Sequence, residues 1–377
     1  MAVAAKEKAK TTKRAWLGGL TVVDGDGHVG STPETWERYM DEPYRSHGPR
    51  IVKDNRGSER WMVEGILYPK PEGTASGQPE GIRGSMLHPG VSDPLARLKD
   101  MDSEGIDIAV CFGNLPELTL AAVMDPGLAV AMARAYNNWV ADYCSVDPRR
   151  LKAVAVLPMQ DVAASVAELR RATKELGLIA AMLPTNVRGK NLDHPDYLPV
   201  FAEAARLGVP LTVHGAPSTG SFAGSDRFEN YFFTHAVAHP FEQMISLMCI
   251  VCGGILERFP DLRVAFLESG IGWVPYWVER LDEHFEHRAK LVPNIKRKPS
   301  DYVDSGRVFF FCEPEEKMLP YVAGMWEDSI VFTSDYPHWD AKFPGAVAAV
   351  AERKDLTERQ KRKILSENAA RFYGLSL

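Results

Sequence analysis

The sequence lacks any uninterrupted apolar run near the roughly 18 residues that a membrane-spanning helix needs, so no membrane partner is expected. It also lacks G-x-G-x-x-G, the glycine pattern that lets a helix N-terminus approach a dinucleotide pyrophosphate. Cysteine is scarce and odd in number, five among 377 residues. Scattered thiols in a chain of this length make no disulfide framework, and a reducing, cytoplasmic setting suits them. An excess of positive charge is missing too. Lys and Arg total 44 against 50 Asp and Glu, a net charge of -6, which offers a nucleic-acid backbone little attraction. There is no internal repeat and no low-complexity tract.

What remains is globular in character, with 45% hydrophobic and 25% charged residues. The pattern along the chain points to one domain over residues 19–377, preceded by a basic arm over residues 1–18 with Lys6, Lys8, Lys10, Lys13 and Arg14. The arm lacks the apolar core of a signal peptide. It reads as a solvated tail or as a strap around a partner subunit.

Eight short apolar runs rich in β-formers occupy residues 20–24, 106–112, 151–157, 178–183, 210–214, 262–268, 308–312 and 330–334. Most are nearly continuous rather than alternating, as expected for parallel strands buried on both faces. Helical patterns fill the intervals. One starts at Ser92-Asp93-Pro94, with a capping residue and then a proline that needs no N–H partner. Others cover 161–176 and 197–207, stopped by Gly177 and Gly208. Residues 240–258, 272–288 and 357–372 complete the set, the last with Thr357 as cap. Eight alternations predict an α/β fold, a distorted (β/α)8 TIM barrel. An open doubly wound sheet would need the missing nucleotide signature. Residues 30–91 interrupt the alternation after strand one, with much Gly, Pro and charge. An insertion at that end of a barrel lies over the active site, as a lid or an oligomer contact.

Barrel enzymes draw their chemistry from the C-terminal ends of strands, and here those ends carry ionisable groups. Strand one ends in Asp24-Gly25-Asp26-Gly27-His28, strand five in His214, strand six in Glu268, strand seven in Glu313 and strand eight in Asp335. Alternate side chains of an extended segment share a face, so Asp24, Asp26 and His28 can point one way. Taken singly, each is an ordinary hydrogen-bonded group. Together, Asp26, His28, His214, Glu268 and Asp335 form a set of O and N donors that would be costly to bury without a cation. His338 lies three residues past Asp335 as a ligand or proton shuttle. His235 and His239 lie one turn apart just before the helix that starts at Pro240, and His239 is a candidate catalytic group. Glu313 could orient a ligand. Arg83, His88 and Arg188 are candidate carboxylate clamps. Cys249-x-x-Cys252 sits mid-helix without a second pair and reads as packing. Trp273, Trp277 and Trp326 read as core or pocket wall.

At these residues the sequence resembles the amidohydrolase-related family, in the branch of aminocarboxymuconate semialdehyde decarboxylase. The matching segments are VVDGDGH, TVHG, GGILERFPDLRVAFLESGIGW, FTSDYPHWD and ENAARFYGL, spread over residues 22–375. The resemblance implies a distorted barrel around a divalent metal, with His28, His214 and Asp335 at ligand positions and a tendency toward dimers. Two positions depart from it. The family's H-x-H is Asp26-x-His28 here, and its histidine after strand six is Glu268. Both exchanges add negative charge, which favours Mn or Fe over a lone Zn and allows one or two ions.

Two activities are expected from this set. In the first, a metal-dependent enzyme hydrolyses or non-oxidatively decarboxylates a small organic acid, with Asp335 as general base and His338 as proton shuttle. In the second, a dinuclear Fe or Mn centre activates oxygen as a hydroxylase, a monooxygenase. A homo-oligomer, or a hetero-oligomer with a related subunit that this chain supports, is the expected assembly.

Overall fold

The computed structural model describes residues 18–82, 88–215 and 223–377. Residues 1–17 of the basic arm and Arg83 lie outside them. Eight parallel strands form one sheet in the chain order of a barrel: β1 Val23–Val29, β2 Ile108–Gly113, β3 Leu151–Val156, β4 Ala180–Leu183, β5 Leu211–Val213, β6 Val264–Phe266, β7 Val308–Cys312 and β8 Ile330–Phe332. Each predicted run overlaps one of them. Every residue of β2 and of β7 is buried, because helices cover the outer face and packed side chains fill the inner one. Between β8 and β1 the ring closes largely by loop contacts. Asp335 donates its N–H to Asp26 O at 3.2 Å, and Thr333 Oγ1 donates to the same oxygen at 2.7 Å.

β1 corrects the expected 20–24. It begins at Val23 and runs on to Val29, with its register against β2 shifted between Asp24 and Gly27. That bulge changes the simple alternation of Asp24, Asp26 and His28. Asp24 is turned into the wall, where it accepts from Ser334 N at 2.8 Å and Ser334 Oγ at 2.6 Å and faces the buried Arg97 at 3.6 Å.

The helices start and stop where local chemistry directs. Asp93 caps α1 (Pro94–Glu104) by accepting from Leu95 N and Ala96 N. Asp125 caps α2 (Pro126–Cys144), and Asp161 caps α3 (Val162–Lys174), after which Gly177 takes φ 73°. α4 (Leu198–Leu207) closes on Gly208 at φ 69°, a left-handed turn that glycine adopts without a Cβ clash. α5 is a correction. It spans Tyr231–Cys252, starting nine residues before Pro240. Asn230 provides the cap by accepting from Phe232 N at 2.9 Å, and the helix runs through Pro240. His235 and His239 therefore stand inside the helix. Together with the short helix that follows, α5 makes a 28-residue stretch long and apolar enough to cross a bilayer, and 61% of its most apolar 18-residue window is buried within the protein. α6 is Val274–Arg288.

The insertion has more structure than its composition suggests. A short helix, Pro33–Tyr39, precedes a three-stranded antiparallel sheet of Arg50–Lys53, Glu59–Val63 and Ile66–Tyr68. Its centre is the buried Arg60, which meets Asp54 at 2.7 Å and donates to the carbonyls of Pro69, Gln78 and Pro79 at 2.8–3.0 Å. Two links tie the insertion to the segment before α5: Ala75 N donates to Phe228 O at 2.8 Å, and Ser76 Oγ donates to Glu229 O.

Candidate metal centre

The two strand-end histidines are held in one tautomer. Nδ1 of His28 lies 3.0 Å from Gly113 O, and Nδ1 of His214 lies 2.8 Å from Gly215 O. A carbonyl only accepts, so Nδ1 carries the hydrogen in both rings and Nε2 keeps a free lone pair. Both Nε2 atoms are buried, point into the barrel mouth and have no hydrogen-bond partner. Asp26 Oδ1, Glu268 Oε2 and Asp335 Oδ1 are in the same condition.

These atoms converge. His28 Nε2 is 3.8 Å from Asp26 Oδ1 and 3.4 Å from Asp335 Oδ1, and His214 Nε2 is 4.0 Å from Asp26 Oδ2 and 3.0 Å from Glu268 Oε2. Donors bound about 2.1 Å from a common ion lie roughly 3.0–3.5 Å apart, so small movements would seat one. Asp26, His28 and His214 form one potential ligand group, and His28, Asp335 and His338 form another. Among the described residues, no Lys or Arg pairs with Asp26, Glu268 or Asp335. Buried carboxylates and neutral imidazoles without a balancing cation fit a divalent metal.

The protonation energetics express the same imbalance. Burial, with repulsion from Asp335 and Glu268, holds the Asp26 carboxyl well above the usual range despite attraction from His214. Glu268 is raised by burial and by Asp335. Asp335 goes the other way: the attraction of His338 and His28 outweighs burial and holds it low. His338, 2.9 Å from Asp335 Oδ1, is lifted to about 9 despite burial. Burial and the His338 charge depress His28 to about 3.

The backbone is strained at two of these carboxylates. Glu268 has φ 55° and Asp335 φ 51°, a left-handed conformation that costs a non-glycine residue on the order of 1 kcal/mol or more. Gln243, reaching inward from α5, holds the ends of β5 and β6 together by donating to Val213 O and Leu267 O, both at 2.9 Å.

His239 also joins the cluster, 4% exposed, with Nδ1 3.7 Å from Glu268 Oε2. His235 stands farther out and faces Asp340 at 3.9 Å. Other sequence candidates stay apart. Glu313 is exposed and adds charge near Glu268 without entering the donor cluster. His88 packs on Tyr336 and Phe343, and Arg188 is exposed in a hairpin turn. Burial raises the Cys249 and Cys252 thiols to about 12 and about 11, and both are free. Trp273, Trp277 and Trp326 pack against the core and donate to neighbours.

Beside the donors lies a cleft whose wall includes Gln78, Asn114, Leu118, Tyr231 and Trp339. Sequence reasoning missed these residues. Trp339 follows His338 directly and carried a signal by position. Gln78 and Asn114 carried none, since their loops reach the mouth only through tertiary packing.

A family model described as Amidohydrolase matches residues 23–375. The chain belongs to the amidohydrolase family. Among curated proteins it is 30% identical over 285 residues to a 2-amino-3-carboxymuconate-6-semialdehyde decarboxylase of Dictyostelium discoideum, covering 75% of this chain and 77% of that one. It is 25% identical over 295 residues to a gamma-resorcylate decarboxylase of Rhodococcus jostii, covering 74% and 87%. Among solved structures, an amidohydrolase from Mycobacterium avium subsp. paratuberculosis superposes with TM-score 0.78 at 20% identity, covering 94% of this chain and 100% of that one. A 5-carboxyvanillate decarboxylase of Novosphingobium aromaticivorans, in complex with manganese and 4-hydroxy-3-methoxy-5-nitrobenzoic acid, superposes with TM-score 0.68 at 21% identity, covering 95% and 97%. The last two establish fold alone. These relatives lend no support to the oxygen-activating alternative.

Proposed function

We propose that this amidohydrolase removes carbon dioxide, without oxidation, from a small carboxylic acid that carries a hydroxyl or amino group beside the carboxylate. The observation that carries the reading is the convergence of orphaned donors from Asp26, His28, His214 and Asp335 at the barrel mouth. The names of the two curated relatives support the reaction type. A divalent ion on these residues would supply the positive charge that orients such a substrate and holds electrons released at its carbon. Manganese suits the carboxylate-rich set, and the 5-carboxyvanillate decarboxylase binds it.

The protein's own groups supply the proton and exclude water. His338 lines the cleft with Nδ1 2.9 Å from Asp335 Oδ1, whose charge favours the protonated imidazole. When the carbon–carboxylate bond breaks, carbon dioxide leaves and the carbon that held it takes a proton; His338 delivers it, and Asp335 holds the imidazole in position and accepts the proton in the reverse direction. Pro69, Gly77 and Gln78 of the insertion line the cleft together with Leu115 and Leu118. That placement supports a lid role for residues 30–91. Five free thiols support a cytoplasmic location.

The test is carbon dioxide release from a panel of ortho-hydroxy and ortho-amino benzoic acids, using manganese-loaded protein under nitrogen and under air. Turnover independent of oxygen is expected. Oxygen uptake stoichiometric with product, or hydrolysis of esters and amides with no decarboxylation, would reject the reading.

A further inference from the structure

The cleft has an outer part that the proton transfer does not use. Tyr231, His235, Trp339 and Asp340 all line it there. The centroids of the three rings lie 5.3–6.3 Å apart, and their planes are inclined to one another by 55–60°. Rings tilted in this way do not stack face to face, which leaves electron-rich faces available to a neighbour. Trp339 is 52% exposed. Asp340 Oδ2 stands 3.9 Å from His235 Nε2. Two elements place these groups. On α5, Tyr231, His235 and His239 follow one another at four-residue spacing, about 6 Å of helix per step. His239 stands beside Glu268, so each step outward carries the wall farther from the donor cluster. Trp339 and Asp340 follow His338 directly. A substrate whose reacting carbon faces His338 therefore sends its far end toward these residues.

Charge decides what that far end can be. Among the described residues no Lys or Arg lines the cleft, and His235 is the ionisable nitrogen that faces Asp340. Burial disfavours the charged form of His235, so it neutralises Asp340 poorly. The charge of Asp340 also acts on Glu313, a second carboxylate on the same side. An anionic end would meet both carboxylates. An apolar end would take water from Asp340 and return no partner. A cation would gain the carboxylate and the ring faces together, and its methylene stem would lie along Leu115 and Leu118.

We propose that Tyr231, Trp339 and Asp340, with His235 beside them, form a subsite for an alkylammonium group, so that the acid taken here carries a positive charge at the end remote from its carboxylate. The proposal rests on the cleft receiving the acid as argued above, and it specifies the other end of that acid.

The test is calorimetric binding of matched ortho-nitrophenols to manganese-loaded protein. The nitro group stands where the substrate has its carboxylate and cannot leave as carbon dioxide. The compounds differ only para to it, with an aminomethyl, an ethyl or a carboxymethyl group. The aminomethyl compound is expected to bind about tenfold more tightly than the ethyl one, and the carboxymethyl compound more weakly than either. In Asp340→Asn the margin should shrink to about threefold or less, and Asp340→Lys should reverse the order of the two charged compounds. Equal binding of all three compounds, or binding of none, overturns the subsite and leaves the reaction to be judged by carbon dioxide release. An unchanged margin in folded D340N overturns the role of Asp340. Should neither variant fold, the order in wild type decides alone.

Discussion

The barrel holds two kinds of buried carboxylate. On the helical shell, Glu168 and Glu203 are each surrounded by donors. Glu168, 3% exposed, accepts from Arg171 at 2.6 Å and from Asn137 at 2.7 Å. Glu203, 5% exposed, accepts from Arg170 at 2.6 Å and Arg206 at 2.5 Å, which lowers its pKa to about 2. At the barrel mouth, Asp26 and Glu268 meet no Arg or Lys among the described residues and sit well above their ordinary range. The same side chains are satisfied in one region and left wanting in the other. The shell carboxylates hold helices together; those at the mouth are kept available for a charge that the chain does not itself provide.

If that contrast is correct, neutralising the two kinds has opposite consequences. The largest effect belongs to the mouth. Asp26→Asn should lower turnover by about 100-fold or more while leaving the metal-free protein equally stable or more stable, by about 1 kcal/mol, since a repulsive buried charge is removed. Initial rates and urea unfolding of stripped protein check both halves, and a clear destabilisation would break the comparison. Glu168→Ala should cost about 2–4 kcal/mol, because Asn137 and Arg171 lose a buried partner. Glu203→Gln should cost less, about 1 kcal/mol, because Arg170 and Arg206 are about half exposed and water screens the loss.

The smallest effect is a pH dependence. Glu203 has a folded pKa of about 2 against an ordinary 4.5. Its stabilising contribution is therefore complete above about 4.5 and is lost as pH falls toward about 2. Equilibrium unfolding between these limits should fall less steeply with pH in E203Q than in wild type. Identical slopes would show that the pair does not act in this way.

Most of the barrel was legible because period and punctuation agree. Apolar runs marked seven strands closely and the start of β1, and Asp93, Gly177, Gly208 and Thr357 marked helix ends through chemistry confined to a few residues. The start of α5 was not legible, because Pro240 imitates a first-turn proline while sitting in the middle of the helix. That error hid how His239 reaches Glu268. Asp24 was misread for another local reason, since the bulge in β1 depends on pairing with β2 and the sequence alone does not announce it. The donor set itself was legible, as strand ends in this fold share one mouth. The tautomers of His28 and His214 were not, because each is set by one carbonyl whose position only the folded backbone determines.

The central claim is that Asp26, His28, His214 and Asp335 hold a divalent cation. Thermal unfolding of chelator-stripped protein, with and without manganese, tests it most directly. The account predicts a saturable rise in Tm, on the order of 2–5 °C at about 100 times the Kd, that is lost in D26N. A wild-type Tm that does not change with manganese, iron or zinc would contradict it.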